Sequence, residues 1–121
     1  MLACAVFLIA LLSNGAIRSV NGCSCLVVVS LEKHFADATY VFTGVATQVV
    51  PWIESGEYQV TFQVEKLFKG MMPLDGRLLT TTPSDSAACG VVFRAGERWQ
   101  VWTYGTYDKP DIISCSRTTR D

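Results

Sequence analysis

The sequence predicts an all-β domain, five short strands closed into a small barrel with one short helix at its periphery. Three observations lead there. From Tyr40 onward, apolar residues recur with a period of two, in runs rich in Val, Thr and aromatic residues. Gly and Pro signals cut those runs into short lengths. Helical spacing occurs once, in Ser30–Ala38, ahead of the strands.

Ser30 is a helix N-cap, although Lys33 stands where a complete capping box would have Glu or Gln. Leu31 and Phe35 are four apart and share a face. The first strand is Tyr40–Val50, in which Gly44 marks a bulge or a sharp bend. Residues Pro51–Gly56 form a loop. In the second strand Tyr58, Val60, Phe62 and Val64 alternate with Gln59, Thr61, Gln63 and Glu65, and the run ends near Lys69-Gly70. Arg77–Thr82 is the third strand, followed by a turn at Pro83–Ser86. Ala88–Arg94 is the fourth, stopped by Ala95-Gly96, and Arg98–Tyr104 is the fifth. A turn at Tyr107–Pro110 and a short extended segment lead to Cys115. Closure into a closed or partly open barrel removes the exposed edges that such strands would otherwise present. An immunoglobulin-like sandwich would need about seven strands and a Cys…Trp…Cys spacing that this chain lacks.

Leu2–Leu12 is an apolar run too short for a membrane span, which takes roughly 20 residues. It suits the central part of a secretory signal peptide. Cleavage after Gly22 makes residues 1–22 the signal and 23–121 one domain; cleavage after Gly15 is the alternative. The cysteines favour the first. Cys4 falls in the discarded run, and Cys23, Cys25, Cys89 and Cys115 remain, an even set in a small exported domain. Four cysteines permit three pairings, of which Cys23 with Cys25 closes a strained small ring. A structural zinc site is the competing use, but the Cys-x-x-Cys spacing is missing.

Arg18 is the one charged side chain before Cys23, so residues 23–121 carry one basic residue fewer than the chain's ten, against eleven acidic ones. A slightly acidic domain without a basic run is not a nucleic-acid binder. Residues 23–121 contain no Asn and therefore no N-glycosylation acceptor. His34, the single histidine, faces solvent on the helix and lacks the Gly-x-Ser-x-Gly elbow of a hydrolase triad; no catalytic role and no cofactor are expected. Trp99 and Trp102 point to opposite faces of one strand, so one is expected in the core and one on the surface. Met71-Met72 reads as packing beside a loop, and Glu54, Glu57, Asp108 and Asp111 as solvated loop charges.

In order and spacing, several short motifs resemble the N-terminal inhibitory domain of tissue inhibitors of metalloproteinases, within the netrin-like group. They are Cys23-Ser24-Cys25, the Phe35–Ala38 end of the helix, Lys66-Leu67-Phe68-Lys69-Gly70, Thr82-Pro83, Cys89-Gly90 and Ser114-Cys115-Ser116. The resemblance spans nearly all of residues 23–121. It implies a five-stranded OB-type Greek-key barrel, disulfides Cys23–Cys89 and Cys25–Cys115, and a secreted inhibitor of an extracellular zinc metalloproteinase; the sequence itself shows no sign of oligomerisation, so a monomer is expected. It further implies a protease-binding ridge of Cys23, Ser24, Cys25, Leu26 and Val27 beside Ala87, Ala88 and Cys89. In that family the amine and carbonyl of the first cysteine bind the enzyme's zinc, and the second residue, here Ser24, enters the specificity pocket. The chain departs from the family pattern at Ala36, where a third disulfide would start, at Val27, which replaces a proline, and at Ala87-Ala88.

The chemistry has its own logic. A free α-amine has a pKa of about 7.7–8.0. Zinc takes the neutral form, so capping releases a proton and weakens at low pH. Two other readings compete. The first is a netrin-like extracellular interaction module that inhibits nothing. The second is a lipid-anchored module, from the loose lipobox match Val20-Asn21-Gly22-Cys23.

Overall fold

A computed structural model describes Cys25 and residues 29–121. The elements are helix α1 (Leu31–Asp37) and strands β1 (Tyr40–Trp52), β2 (Glu57–Lys69), β3 (Arg77–Pro83), β4 (Arg98–Gly105), β5 (Pro110–Asp111) and β6 (Thr119–Arg120), with 3₁₀ turns at Ile53–Ser55 and Ser86–Ala88. The strands form one mixed sheet in the order β1-β2-β3-β5-β4-β6. Because β1 also pairs with β4, the first five strands make a ring. All pairings are antiparallel except β3 with β5.

The length of β1 makes the ring possible. Tyr40–Val45 pairs with β4 on one side while the strand runs against β2 on the other. It must therefore bend, and the register shifts between Thr43 and Gly44. A Cβ on Gly44 would lie 2.6 Å from the carbonyl oxygen of Gln63, so the bend requires glycine.

Inward residues of all the long strands meet in the ring. Phe42, Phe62, Phe93 and Trp99 form a chain of edge-to-face contacts with centroids 5.4, 5.4 and 4.5 Å apart. Each such pair adds about 0.5–1.5 kcal/mol beyond the area it buries. Ala46, Val60, Val101 and Ile112 are fully buried around them.

One expected strand is absent. Residues 90–94 are irregular, and the fifth member of the ring is the two-residue β5. The Val91 amide donates to Thr82 Oγ1 rather than to a ladder carbonyl (3.0 Å). Phe93 is nevertheless buried, plugging the barrel, and this inward plug produced the period-two pattern.

Helix α1 matches its expected span. Ser30 Oγ accepts from the Lys33 amide at 3.2 Å, and the Ala38 amide closes the last turn on the His34 carbonyl. Lys69 Nζ donates to the carbonyls of Phe35 and Ala36, tying β2 to the helix's negative end. The helix covers Trp102. That indole points out of the barrel as expected, yet it is buried with Ala38 and Val41, its ring 6.0 Å from Phe35. Trp99 and Trp102 are thus both buried, one inside the ring and one beneath the helix. His34 is half-buried and stands edge-on to Tyr104, so it does not simply face solvent.

Two expected solvated charges are also placed differently. Glu57 is largely buried and pairs with Lys109 at 3.0 Å. Asp111, in β5, accepts from Thr81 Oγ1 at 2.9 Å. Both acids lie at the β2–β3–β5 side of the ring.

Candidate functional site

The C-terminal end of β3 runs into a tight knuckle, Ser84–Gly90. Asp85 organises it. Its carboxylate accepts from the Ala87 amide (2.9 Å), and its carbonyl accepts from Ala88 (3.0 Å) and Gly90 (3.1 Å). Cys89 closes the turn by donating its amide to the Ser86 carbonyl, and it lies in the left-handed region at φ 69°. A non-glycine residue there carries strain of about 1–3 kcal/mol, which the surrounding bonds must hold. Gly90 follows, and a Cβ on it would overlap the Pro83 carbonyl. The small Ala87 and Ala88 therefore stand exposed on a backbone with little room to move.

Three attachments fix the knuckle to the barrel. Ser84 bonds the Gly56 carbonyl through both its amide (3.0 Å) and its hydroxyl (2.9 Å), which ties the knuckle to the β1–β2 turn. The buried Thr82 hydroxyl accepts from Val91 and donates to the Ile112 carbonyl (2.8 Å). The Cys89 carbonyl accepts from the Ser114 amide at 2.8 Å. Ser114 directly precedes Cys115, and Cys115 is disulfide-bonded to Cys25 with Cα atoms 5.5 Å apart. The expected Cys25–Cys115 pairing is therefore present. Cys89 is disulfide-bonded as well. Its expected partner Cys23 lies outside the described residues.

Of the expected ridge, Cys25, Ala87, Ala88 and Cys89 are described. Ser114 and Cys115 bring their two segments into one region. Cys23, Ser24, Leu26 and Val27 lie outside the described residues. Arg117 adds a clamp on the N-terminal side, donating to the Val29 carbonyl at 3.3 Å. Reading the sequence singled out Thr82 and Gly90 only as parts of the Thr82-Pro83 and Cys89-Gly90 motifs, and did not single out Asp85 or Arg117 for this region. Asp85 carried a usable signal, since an Asp two residues before a run of small residues in a turn is an N-cap pattern. The bracing bonds of Thr82 and Arg117 left no local signal, because Ile112 and Val29 are distant from them in the chain.

The knuckle holds no acid–base pair and no nucleophile with a base. The Asp85 carboxylate is engaged by the Ala87 amide, and Cys25, Cys89 and Cys115 are all disulfide-bonded. Among the described residues no group of three His, Cys, Asp or Glu side chains is arranged to hold a metal ion, and no helix is long and apolar enough to cross a membrane. A groove of about 500 Å³ between α1 and the sheet is lined mainly by apolar residues such as Leu31, Phe35 and Trp102, and none of the described ridge residues lines it. What the knuckle offers chemically is shape: a narrow, exposed, pre-ordered edge beside a disulfide-anchored segment. Neither the family models nor the curated proteins contain a match to this chain.

Proposed function

We propose that the chain is a secreted inhibitor of zinc metalloendopeptidases, built on an OB-type Greek-key barrel of the netrin-like kind. The barrel reading is supported by the five-stranded ring, in which the chain leaves β3, crosses to β4 and returns to β5 between them. Export is supported by the Cys25–Cys115 bond, which persists in an oxidising compartment. In the proposed mechanism, the α-amine and carbonyl of Cys23 occupy the open position of the enzyme's catalytic zinc. Ser24 enters the adjoining pocket, while Leu26 and Val27 lie on one side of the wedge and Ala87, Ala88 and Cys89 on the other. No bond is made or broken.

The observation that carries this reading is the linkage of Cys25 through Cys115 and Ser114 to the carbonyl of Cys89. It joins the segment next to the expected amine to a strained, exposed knuckle, as a rigid wedge requires. Pre-ordering of this kind lowers the entropic cost of docking.

The test compares two forms of the secreted chain against a panel of zinc proteases, one beginning at Cys23 and one with an added N-terminal alanine. Inhibition is expected from the first and lost in the second, and the first should weaken as the pH falls below the amine's ordinary range of about 7.7–8.0. Equal potency of the two forms, or a secreted chain that begins at Ala16, overturns the mechanism and leaves the interaction-module reading. The β1–β2 hairpin favours that second reading to one extent: Val50, Trp52 and Tyr58 are partly exposed near its tip, a surface suited to protein contact.

A further inference from the structure

The ring leaves the far half of β1 with one neighbour. Tyr40–Val45 pairs with β4. Ala46 makes the last bonds on that side, donating to the Glu97 carbonyl (2.9 Å) and accepting from the Gly96 amide (2.7 Å). From there β1 runs on to Trp52 with β2 alone beside it among the described residues. The chain that would continue the ladder on the other side, residues 90–94, is the segment that turns irregular.

Two threonines show which main-chain groups this leaves free. The Thr61 carbonyl faces β1, where it accepts from the Thr47 hydroxyl at 3.1 Å. The Val60 carbonyl faces β3 and accepts from the Thr80 hydroxyl at 2.9 Å. In an antiparallel ladder, alternate residues turn both main-chain groups to opposite sides. Val49 and Pro51, the partners of Val60 and Tyr58, therefore turn theirs away from β2. Pro51 fits there, since it has no amide to give. The Val49 amide and carbonyl and the Pro51 carbonyl are bonded by no described residue. Beside them a cleft of about 290 Å³ opens, lined by Val49, Tyr58, Val60, Val91, Phe93 and Arg94 among others. The Arg94 guanidinium has no acidic partner among the described residues. Glu97, which accepts from the Arg94 amide, is paired with Arg120 at 3.0 Å.

We propose that this edge takes up a short extended peptide from a partner protein, adding a strand to β1 at Val49–Pro51. An aliphatic side chain of the peptide enters the cleft, and an acidic one meets Arg94. An amide and carbonyls aligned along a strand edge select another extended main chain, and an adjoining pocket selects its side chains. Pro51 ends the row of donors, which keeps the added strand short and guards the edge against open-ended pairing. A second copy of this chain is the poorer occupant. Pairing the same edge about a twofold axis would bring two unpaired Arg94 guanidiniums to one interface. The site uses none of the expected ridge residues, so it stands whether or not the chain inhibits a protease.

The test is selection from a displayed library of random nine-residue peptides on the immobilised wild-type chain, with V49P in the same N-terminal form as counter-selection. V49P removes the outward amide and no bond to β2, and an unchanged circular dichroism spectrum verifies its fold. Peptides carrying an aliphatic residue and an acid are expected to be enriched on the wild type. The selected peptide, synthesised and bound, should slow hydrogen exchange of the Val49 amide. N-methylation of one alternate set of its residues should weaken binding by about fivefold per bond removed, and of the other set not at all. R94E should weaken binding of the acidic peptides by about two- to fivefold. Where V49P does not fold, the two methylated sets decide alone. The proposal is overturned if no peptide is enriched, if V49P or R94E binds as tightly as the wild type, if both methylated sets behave alike, or if Val49 exchange is unchanged. It is also overturned if the wild-type chain self-associates in sedimentation velocity and V49P does not, since the edge would then pair two copies.

Discussion

Asp111 is a residue whose role follows from two neighbours rather than from its own type. Half-buried in β5, it has its carboxyl pushed above the usual carboxylate range by desolvation, a rise that the Thr81 hydroxyl opposes and the Glu57 charge assists. The sign of the consequence is definite. A carboxyl with a raised pKa favours the fold fully below its unfolded pKa, and that contribution is lost as the pH rises through the folded value. Asp111→Asn keeps an oxygen for Thr81 and has no charge to desolvate. Denaturant melts should find the variant more stable than the parent at neutral pH, with the gap closing as the pH falls to the ordinary carboxylate range. An unchanged gap across that range would mean that Asp111 is fully solvated. Reading Asp111 as a loop charge missed this because β5 is two residues long and carries no period to read. Glu57 was missed for a related reason, since its burial depends on Lys109, which is distant in the chain.

At the scale of elements, the knuckle and the segments that brace it behave as one unit. The Cys25–Cys115 bond spans 90 residues of sequence. By the chain-entropy account a loop of that length is worth about 4–5 kcal/mol, and removal of such a bond from a small domain typically costs about 2–5 kcal/mol. Because Ser114 binds the Cys89 carbonyl, the loss should also reach the knuckle. Cys25→Ser with Cys115→Ser is expected to lower the denaturant midpoint and to raise amide exchange at Ala88, Cys89 and Gly90. A variant with the lower midpoint but unchanged exchange at those amides would show that the knuckle is held by Asp85 and Thr82 alone. The long elements here were plain in the sequence. The α1 span and four of the strands were read within a few residues, since Ser30, Gly44, Lys69-Gly70 and Pro83 each leave a local signal. The reading failed at 88–94. There, inward Phe93 and half-buried Val91 imitate a strand, while αL Cys89 and the Val91–Thr82 bond keep the backbone out of the ladder.

For the whole molecule, the ring is unequally sewn. The β1–β2 ladder runs the length of two 13-residue strands, whereas β3 meets β5 at the single register pair Thr81–Asp111. Side-chain bonds from Thr81 and Thr82 to Asp111 and Ile112 supplement that seam. Local opening follows local contact density. Native-state hydrogen exchange should therefore find Ile112, whose amide donates to the Thr81 carbonyl at 2.8 Å, opening at a lower free energy than Val60 or Phe62. Equal protection would mean that the ring opens only on global unfolding. The sequence by itself determined the β class, the helix and its cap, the bend at Gly44 and the even set of cysteines after the apolar run. Each of those is written in short-range period, turn chemistry or composition. Only the tertiary structure decided that β5 closes the ring, that Trp102 is covered, that Glu57 and Asp111 are withdrawn from water, and that Ser114 braces Cys89. Those outcomes are contacts between residues far apart in the chain, and a local pattern does not encode which distant group will arrive.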